Sequence, residues 1–346
     1  PRSTLFPYTT LFRSPGPCPQ PERSAAGGAA GARGRILVIR GGAIGDFILT
    51  LPVLAALRRQ FPDCRLEVLG YPHIAGLAVR GGLADAVRSI ESRPLAEFFG
   101  RGSKLDEGWA TYFGGFALIL SYLYDPDEVF ETNVRRCSKA QYLAGPHRPD
   151  EGGCLHATET FLRPLERLAI YEADPVPRLD VSRSMGVDQD GLMGAMVARR
   201  ALALHPGSGS ERKNWPERGW AELIERLVTG EGWHLMLVGG ESEGDRVQRL
   251  SRCVPAERVT LAQNQPLALL AEQLAGCRGY VGHDSGITHL AAAVGLPGLS
   301  IWGESKESIW RPRSGRFRIV SSAEGLAGVT VQQVMSELSD LLAGAE

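Results

Sequence analysis

Short apolar runs alternate with helical segments in two successive series, and this rhythm limits the fold of the chain more than any other feature. The first series begins with the buried-strand pattern RILVIR (Arg35–Arg40) and continues through RLEVLG (Arg65–Gly70). The second begins with ALALHPG (Ala201–Gly207) and runs to a helical stretch near Val329–Leu342. Strands that alternate with helices form parallel sheets covered on both faces. We therefore expect an α/β protein with two doubly wound halves and a ligand cleft between the carboxyl ends of their strands.

The two series also set the expected domain boundaries. Residues 34–175 should form an N-terminal domain, 176–198 a linker rich in helix breakers, and 199–346 a C-terminal domain. Residues 1–33 have no steady period and resemble translated sequencing-adaptor read-through, so we expect a disordered, non-native leader. Within the N-terminal domain we expect a strand near Ala86–Ile90, a strand at Phe116–Tyr122, a kink near Pro52, and helices near Glu131–Leu143 and Ala157–Ile170.

Composition excludes several classes of function. The formal net charge of −1 argues against a nucleic-acid surface. The six cysteines show no paired metal-ligand spacing, which suits a reducing cytosol and indicates no metal site. No apolar run approaches the roughly eighteen residues that a membrane span requires. We therefore expect a cytoplasmic protein.

The loop RGGAIGD (Arg40–Asp46) follows the first strand and would face the cleft. Its glycines, Gly41, Gly42 and Gly45, allow close approach of the backbone to a ligand. Asp46 is expected to begin the next helix, so the loop also suits an ordinary turn with a helix cap.

A second loop, HPGSGSERKNWPERGW (His205–Trp220), combines hydroxyl and cationic side chains before a helix. Ser208 and Ser210 offer hydroxyl donors, and Lys213, with Arg212 beside it, can neutralise a phosphate. The alternative is a flexible solvated loop. Trp215 fits that alternative poorly because a tryptophan normally requires a packed site.

The third loop lies within HDSGITHLAAAVGLP (His283–Pro297) and predicts a strand, a polar turn and a helix in that order. Asp284 or Ser285 would cap the helix, and the bare N–H groups at its start favour an anion such as phosphate. A capped helix without a ligand remains the alternative. Glu241, after the strand WHLMLVGG, could accept from both hydroxyls of a ribose, or could simply favour a helix start.

Taken together, the three blocks resemble the signature blocks of glycosyltransferase family nine, typified by ADP-heptose:lipopolysaccharide heptosyltransferases. The resemblance runs in the correct order from about Arg35 to the C-terminus. It implies a GT-B fold, in which two Rossmann-like domains face a central cleft. It also implies an inverting, metal-independent enzyme without a cofactor that moves heptose from ADP-heptose to a lipid-linked core saccharide. Such an acceptor suggests peripheral contact with the inner face of the inner membrane.

The resemblance also assigns roles to individual residues. Asp46 falls on the proposed catalytic base, Lys213 on the phosphate-binding lysine, Glu241 on the acid near the nucleoside and Asp284 on the residue that contacts the donor sugar. The diphosphate loop comprises Ser285, Gly286, Ile287, Thr288 and His289. His283 departs from the pattern because asparagine is common at its position.

Three alternatives remain open from the residues alone. A nicotinamide dehydrogenase would use the first glycine turn with Glu67, although GGAIGD is not GxGxxG and Glu67 lies inside its strand pattern. A metal-dependent transferase would use the D-x-D triplet Asp125–Asp127, which also suits a solvated turn. A non-catalytic protein could retain the sugar-nucleotide site alone.

Overall fold

The computed structural model describes residues 34–181, 200–230 and 232–344. The expected leader, residues 1–33, lies outside the described residues, as does the greater part of the expected linker.

The first half contains a parallel sheet of five strands in the order β3-β2-β1-β4-β5. Its strands are β1 (Arg35–Arg40), β2 (Arg65–Gly70), β3 (Ala86–Ser89), β4 (Leu118–Ser121) and β5 (Gln141–Ala144). Its helices are α1 (Ile44–Ile48), α2 (Leu51–Gln60), α3 (Pro72–Arg80), α4 (Glu107–Gly114), α5 (Val129–Cys137) and α6 (Ala157–Leu162), with 3₁₀ segments at Arg93–Phe99 and Arg163–Leu168. In the register, Leu37 of β1 lies opposite Glu67 of β2 and Ile119 of β4.

The second half repeats this plan with six parallel strands in the order β11-β10-β9-β6-β7-β8. Its strands are β6 (Ala201–Leu204), β7 (His234–Gly239), β8 (Val259–Gln263), β9 (Gly279–His283), β10 (Gly298–Ile301) and β11 (Phe317–Val320). Its helices are α7 (Glu217–Thr229), α8 (Gly244–Ser251), α9 (Leu267–Ala275), α10 (Gly286–Ala293), α11 (Glu307–Trp310) and α12 (Val331–Ala343). Short 3₁₀ segments lie at Glu211–Lys213, Glu241–Glu243, Ala256–Arg258 and Leu326–Gly328.

The apolar core joins the two halves. One continuous cluster of buried side chains includes Phe47 and Leu54 near the first sheet and Leu274 and Leu290 near the second. Separate clusters cover the opposite face of each sheet. Burial of apolar surface therefore holds the helices of the first half against the helices of the second half.

Two expected elements of the first half differ from the structure. The helix predicted over Glu131–Leu143 ends at Cys137, and Gln141–Ala144 forms β5 instead. The prediction is wrong there because Ser138 is extended and Tyr142 pairs with Ile119 of β4, a tertiary contact that helical spacing does not report. Near Pro52 the helix is interrupted rather than kinked, since Pro52 occupies the first turn of α2, where its missing N–H is not needed.

The strand order places three loops at the reversal points of the two sheets. β1 lies between β2 and β4, and β6 lies between β7 and β9. The loops after β1, β6 and β9 therefore emerge where strand order changes direction, the usual ligand position of doubly wound sheets.

Candidate functional site

The turn after β1 carries Asp46 into the first turn of α1. Gly42 has φ +95°, and an added Cβ there would lie 2.8 Å from Asp46 Oδ2, so both conformation and space require glycine. The Oδ2 atom accepts a hydrogen bond from Ala43 N at 3.0 Å. The expectation that Asp46 begins the helix is wrong by three positions, because Ala43 is the N-cap residue and Asp46 is the third helical residue. Its side chain is 19% exposed.

The loop between β6 and α7 is tied down by its own side chains. Ser208 Oγ lies 2.9 Å from Ser210 O and 2.8 Å from Asn214 Oδ1, so its hydroxyl shapes the loop. Trp215 is 2% exposed, and its Nε1 donates to Val329 O at 2.9 Å. The loop is therefore anchored at its end, while Arg212 and Lys213 remain exposed at its tip.

His283 at the end of β9 anchors the same loop from the other side. Its Nε2 accepts from Trp215 N at 2.8 Å, so Nδ1 carries the proton and donates to Gly207 O at 3.2 Å. Burial lowers the pKa of His283 to about 3, which keeps the ring neutral. Sequence reasoning noted His283 only as a departure from the family pattern, and the structure gives that departure a role in joining the two loops.

Ser285 caps the helix α10. Its Oγ accepts from Thr288 N at 3.3 Å and lies 3.3 Å from His205 Nδ1. Thr288 Oγ1 donates to the main-chain oxygen of His283, and Tyr280 contacts the same hydroxyl at 2.9 Å. The start of α10 is thus held rigidly, and its first N–H groups have no partner within their own helix. This confirms the expected capped helix start.

Lys213 and Asp284 form an ion pair with each other. The Lys213 Nζ atom lies 2.6 Å from Asp284 Oδ2, and the two side chains are 44% and 10% exposed. The pair joins the tip of the loop after β6 to the residue just before the α10 cap. An incoming phosphate would compete with Asp284 for the ammonium group.

The backbones of the two halves meet at the α1 and α10 starts. A Cβ added to Gly286 would lie 2.8 Å from Ile44 Cβ and 2.9 Å from Gly45 N. No side chain larger than hydrogen fits between these segments. Of the three glycines in the loop after β1, Gly45 makes this contact, whereas a Cβ on Gly41 would come no closer than 3.9 Å, to Ile90.

His289 shows how closely the charged groups converge. It is 6% exposed, and burial lowers its pKa to about 4. Asp284 and Asp46 favour its charged form, while His156 and Lys213 oppose it. The ring also lies beside the turn that precedes Asp46, because a Cβ on Gly45 would lie 3.3 Å from His289 Cδ2.

Glu243 is the acid that sequence reasoning missed. It is 9% exposed, and its carboxylate accepts from Gly209 N at 2.8 Å and from Gly240 N at 2.9 Å, which joins the loops after β6 and β7. Glu241 is exposed and is the first residue of the 3₁₀ segment that ends at Glu243. Its role near the nucleoside stays a prediction. The spacing from Gly240 to Glu243, typical of a capping box, was the signal that could have identified the buried acid.

The residues behind two alternatives have structural partners. Asp125 accepts from Phe130 N and Glu131 N at the start of α5, at 3.2 and 2.9 Å. Glu67 lies within β2 and pairs with Arg35 and Arg65, away from the strand end where a ribose would bind.

Within residues 34–181, 200–230 and 232–344, no group of three or more His, Cys, Asp or Glu side chains is placed to hold a metal ion. In the same part of the chain, no helix is both long and apolar enough to cross a bilayer.

Comparison with known proteins agrees with this geometry. Residues 157–338 match the family model described as glycosyltransferase family 9 (heptosyltransferase). The chain is 26% identical over 295 residues to lipopolysaccharide heptosyltransferase 1 of Pseudomonas aeruginosa, covering 78% of each protein. It is 27% identical over 350 residues to lipooligosaccharide heptosyltransferase 2 of Haemophilus influenzae, covering 89% of this chain and 99% of the relative. The solved Escherichia coli ADP-heptose lipopolysaccharide heptosyltransferase II superposes with a TM-score of 0.72 at 18% identity, over 90% of this chain and 99% of that one.

Two parallel sheets with opposed loops, together with this structural likeness, show the GT-B fold that the sequence predicts. The family model covers more than half of the residues. The chain belongs to glycosyltransferase family 9, and the predicted family resemblance is confirmed.

Proposed function

We propose that this enzyme transfers heptose from ADP-heptose to a saccharide of the lipopolysaccharide core, with inversion and without a divalent metal. The family and the names of the relatives support this substrate pair. The observation that carries the proposal is the contact between the α1 and α10 starts, where a Cβ on Gly286 would lie 2.9 Å from Gly45 N and a Cβ on Gly45 would lie 3.3 Å from His289 Cδ2. Asp46 directly follows Gly45, and Asp284 of the ion pair lies just before α10. A base and an anion-binding site must lie this close for a sugar to pass between them.

The donor binds mainly to the second half in this proposal. Lys213, the hydroxyl of Ser210 and the main-chain N–H groups from Ser285 to Ile287 hold the diphosphate, while Ser208 and Thr288 fix the two loops through their hydroxyls. Binding of the diphosphate draws Lys213 away from Asp284, which then accepts hydrogen bonds from the donor sugar. Glu241 is proposed to lie near the nucleoside.

The chemical step needs one proton acceptor. The acceptor hydroxyl attacks the anomeric carbon, Asp46 takes its proton, and the bond between that carbon and the diphosphate oxygen breaks. The electron pair leaves on ADP, whose charge is balanced by Lys213 and the positive end of α10. Arriving opposite the leaving group, the hydroxyl inverts the anomeric centre.

The acceptor saccharide is proposed to occupy a cavity in the first half whose lining includes His147, the residue that accepts a hydrogen bond from Arg40 through its main-chain oxygen. The cavity has a volume of about 550 Å³ and is lined by Pro146, His147, Arg148, Pro149, Asp150, Thr160, Arg163 and Pro164. The pKa of His147 is lowered by burial and by the nearby Arg148 and Arg40, while Asp46 opposes that shift. The cavity therefore lies within electrostatic range of the proposed base, and its arginines suit an acidic saccharide.

Mass spectrometry of a reaction with ADP-heptose and a core saccharide tests the proposal. We expect ADP and an acceptor heavier by one heptose, with unchanged turnover in excess EDTA. ADP-glucose serves as the donor control. Consumption of ADP-glucose in preference to ADP-heptose would contradict the donor assignment, and restoration of lost activity by Mg²⁺ or Mn²⁺ would contradict metal independence.

The lipid of the acceptor leads us to propose peripheral contact with the inner face of the inner membrane. Flotation with vesicles that carry a lipid-linked core saccharide checks this. We expect the enzyme to float with those vesicles and to remain behind with vesicles that lack the saccharide.

A further inference from the structure

Arg40, the last residue of β1, is a buried cation. It is only 3% exposed, although an isolated charge in such a position costs several kcal/mol. The groups that surround Arg40 must therefore offset this cost, and their identity indicates what the residue does.

The guanidinium of Arg40 contacts the proposed base through both its main chain and its carboxylate. Its Nη2 and Nε donate to Asp46 O at 3.3 and 3.4 Å, and Nη2 lies 3.5 Å from Asp46 Oδ1. Its Nη1 donates to His147 O at 2.9 Å. The rings of Phe161 and Tyr122 lie 4.5 and 5.6 Å from the guanidinium carbon, as in cation–π contacts.

These contacts connect two loops that the sheet keeps apart. Asp46 follows β1 and His147 follows β5, and β4 lies between those strands. Arg40 spans the end of β4, where Tyr122 packs against it. One side chain thus links the turn of the proposed base to the loop that lines the acceptor cavity.

Asp46 is the acidic residue that most favours the charged form of Arg40. Burial lowers the pKa of Arg40, and Asp46 is the largest influence that raises it, whereas Arg148 lowers it further. Loss of Asp46 would therefore leave the buried Arg40 in an unfavourable site.

The two oxygens of Asp46 are held differently. Oδ2 accepts the main-chain hydrogen bond from Ala43, while Oδ1 faces Arg40 at 3.5 Å. Strong charge-assisted hydrogen bonds are shorter, roughly 2.7–2.9 Å. Arg40 therefore orients Oδ1 without occupying it fully, and Oδ1 stays able to accept a proton.

We propose that Arg40 is a positioning residue, which fixes the carboxylate of Asp46 towards the acceptor and links it to the His147 loop. This inference rests on the proposed function, in which Asp46 is the base. Arg40 itself contacts no reacting atom.

A double-mutant cycle tests the role. Arg40→Met, Asp46→Asn and the double variant are compared with wild type for kcat by mass spectrometry, ADP affinity by calorimetry and thermal unfolding. Arg40→Met alone should lower kcat by roughly 100-fold, because misplacement of a reacting group costs about that much. ADP affinity should change less than about twofold, since the donor site lies in the other half. In the Asp46→Asn background, Arg40→Met should change kcat by less than about threefold, because the group it positions is absent.

Arg40→Lys should retain part of the wild-type kcat. If Arg40→Met does not fold, the same double-mutant cycle is carried out with Arg40→Lys instead. Arg88→Met is the matched control, since Arg88 stacks on Trp109 at 3.9 Å in the same half. It should leave kcat unchanged.

An equal loss of kcat in both backgrounds would show that Arg40 merely supports the fold, and an unchanged kcat in Arg40→Met would also overturn the proposal. A wild-type enzyme that transfers no heptose would instead refute the proposed function and, with it, the basis of this inference.

Discussion

The two sheet edges that face the site differ in how firmly their polar groups are held. At the second sheet, both ring nitrogens of His283, the hydroxyls of Ser285 and Thr288, and the indole of Trp215 have partners within the protein. In the first sheet, by contrast, the loop after β4 leaves the large side chain of Tyr124 70% exposed. This contrast suits a donor of constant shape bound on one side and a variable acceptor bound on the other.

On each side a charged group departs from this pattern. On the second sheet, the exposed Lys213 pairs with Asp284 and can exchange it for a phosphate. On the first, Asp46 is held by Ala43 and Arg40. Variants at these points separate donor binding from chemistry.

The largest effect is expected from Asp46→Asn. Asparagine can still accept the hydrogen bond from Ala43, but it cannot take a proton, so the rate should fall by roughly 10²–10⁴-fold. ADP affinity should change little. Turnover and calorimetry in one preparation check both, and near-wild-type turnover would reduce Asp46 to a structural residue of α1.

Gly286→Ala should separate the two halves. The new Cβ would lie 2.8 Å from Ile44 Cβ, so the α1 and α10 starts must move apart. We expect kcat to fall by roughly 100-fold and ADP affinity to fall much less. Gly76→Ala is the control, because a Cβ there meets nothing within 4 Å. A loss confined to ADP affinity would show that the contact between the halves does not affect the chemistry.

Lys213→Ala should weaken the donor side alone. A charge-assisted hydrogen bond contributes about 1.5–3 kcal/mol, so ADP affinity should fall roughly tenfold to a hundredfold. Arg212→Ala, the adjacent exposed cation, should have a smaller effect. Equal effects of the two substitutions in calorimetry would indicate general attraction by the loop rather than a specific contact.

The contrast between the two sheet edges also explains which parts of the fold and of the candidate site could be predicted from the sequence. The alternation of apolar runs and helices predicts both sheets, and the loops after β6 and β9 carry enough local signal to place them at the ends of their strands. The start of α10 is predicted well because a serine cap, a helix and a terminal glycine lie within a dozen or so residues. Local patterns thus describe the donor side, where function depends on short segments.

Long-range contacts were the part that sequence could not supply. β5 is only four residues long, and pairing with β4 decides its conformation. Arg40 resembles an ordinary charged strand end, and its burial comes from distant groups: the loops after β1 and β5 and the rings of Tyr122 and Phe161. His283 likewise acquires its role from Gly207 and Trp215, some seventy residues earlier in the chain.

Low pH should destabilise the second half of the protein through its buried histidine rings. Near neutral pH, the expected change in the free energy of unfolding is the smallest effect that we predict. The pKa of an exposed histidine, 6.5, is lowered to about 4 in His205 and His289 and to about 3 in His283, by burial in each case. Glu243 partly opposes the shift in His205, and Asp284 and Asp46 partly oppose it in His289.

Between pH 6.5 and 4 the unfolded chain therefore binds protons that the folded chain does not, so the free energy of unfolding falls as the pH falls through this window and is nearly constant above it. From pH 7 to pH 6 the loss should be at most about 1 kcal/mol for each histidine. Urea unfolding at several pH values checks the trend, and His289→Gln should make it shallower, because glutamine does not titrate while His205 and His283 still do. A free energy of unfolding that rises between pH 7 and pH 5 would contradict the neutral, buried state of these rings.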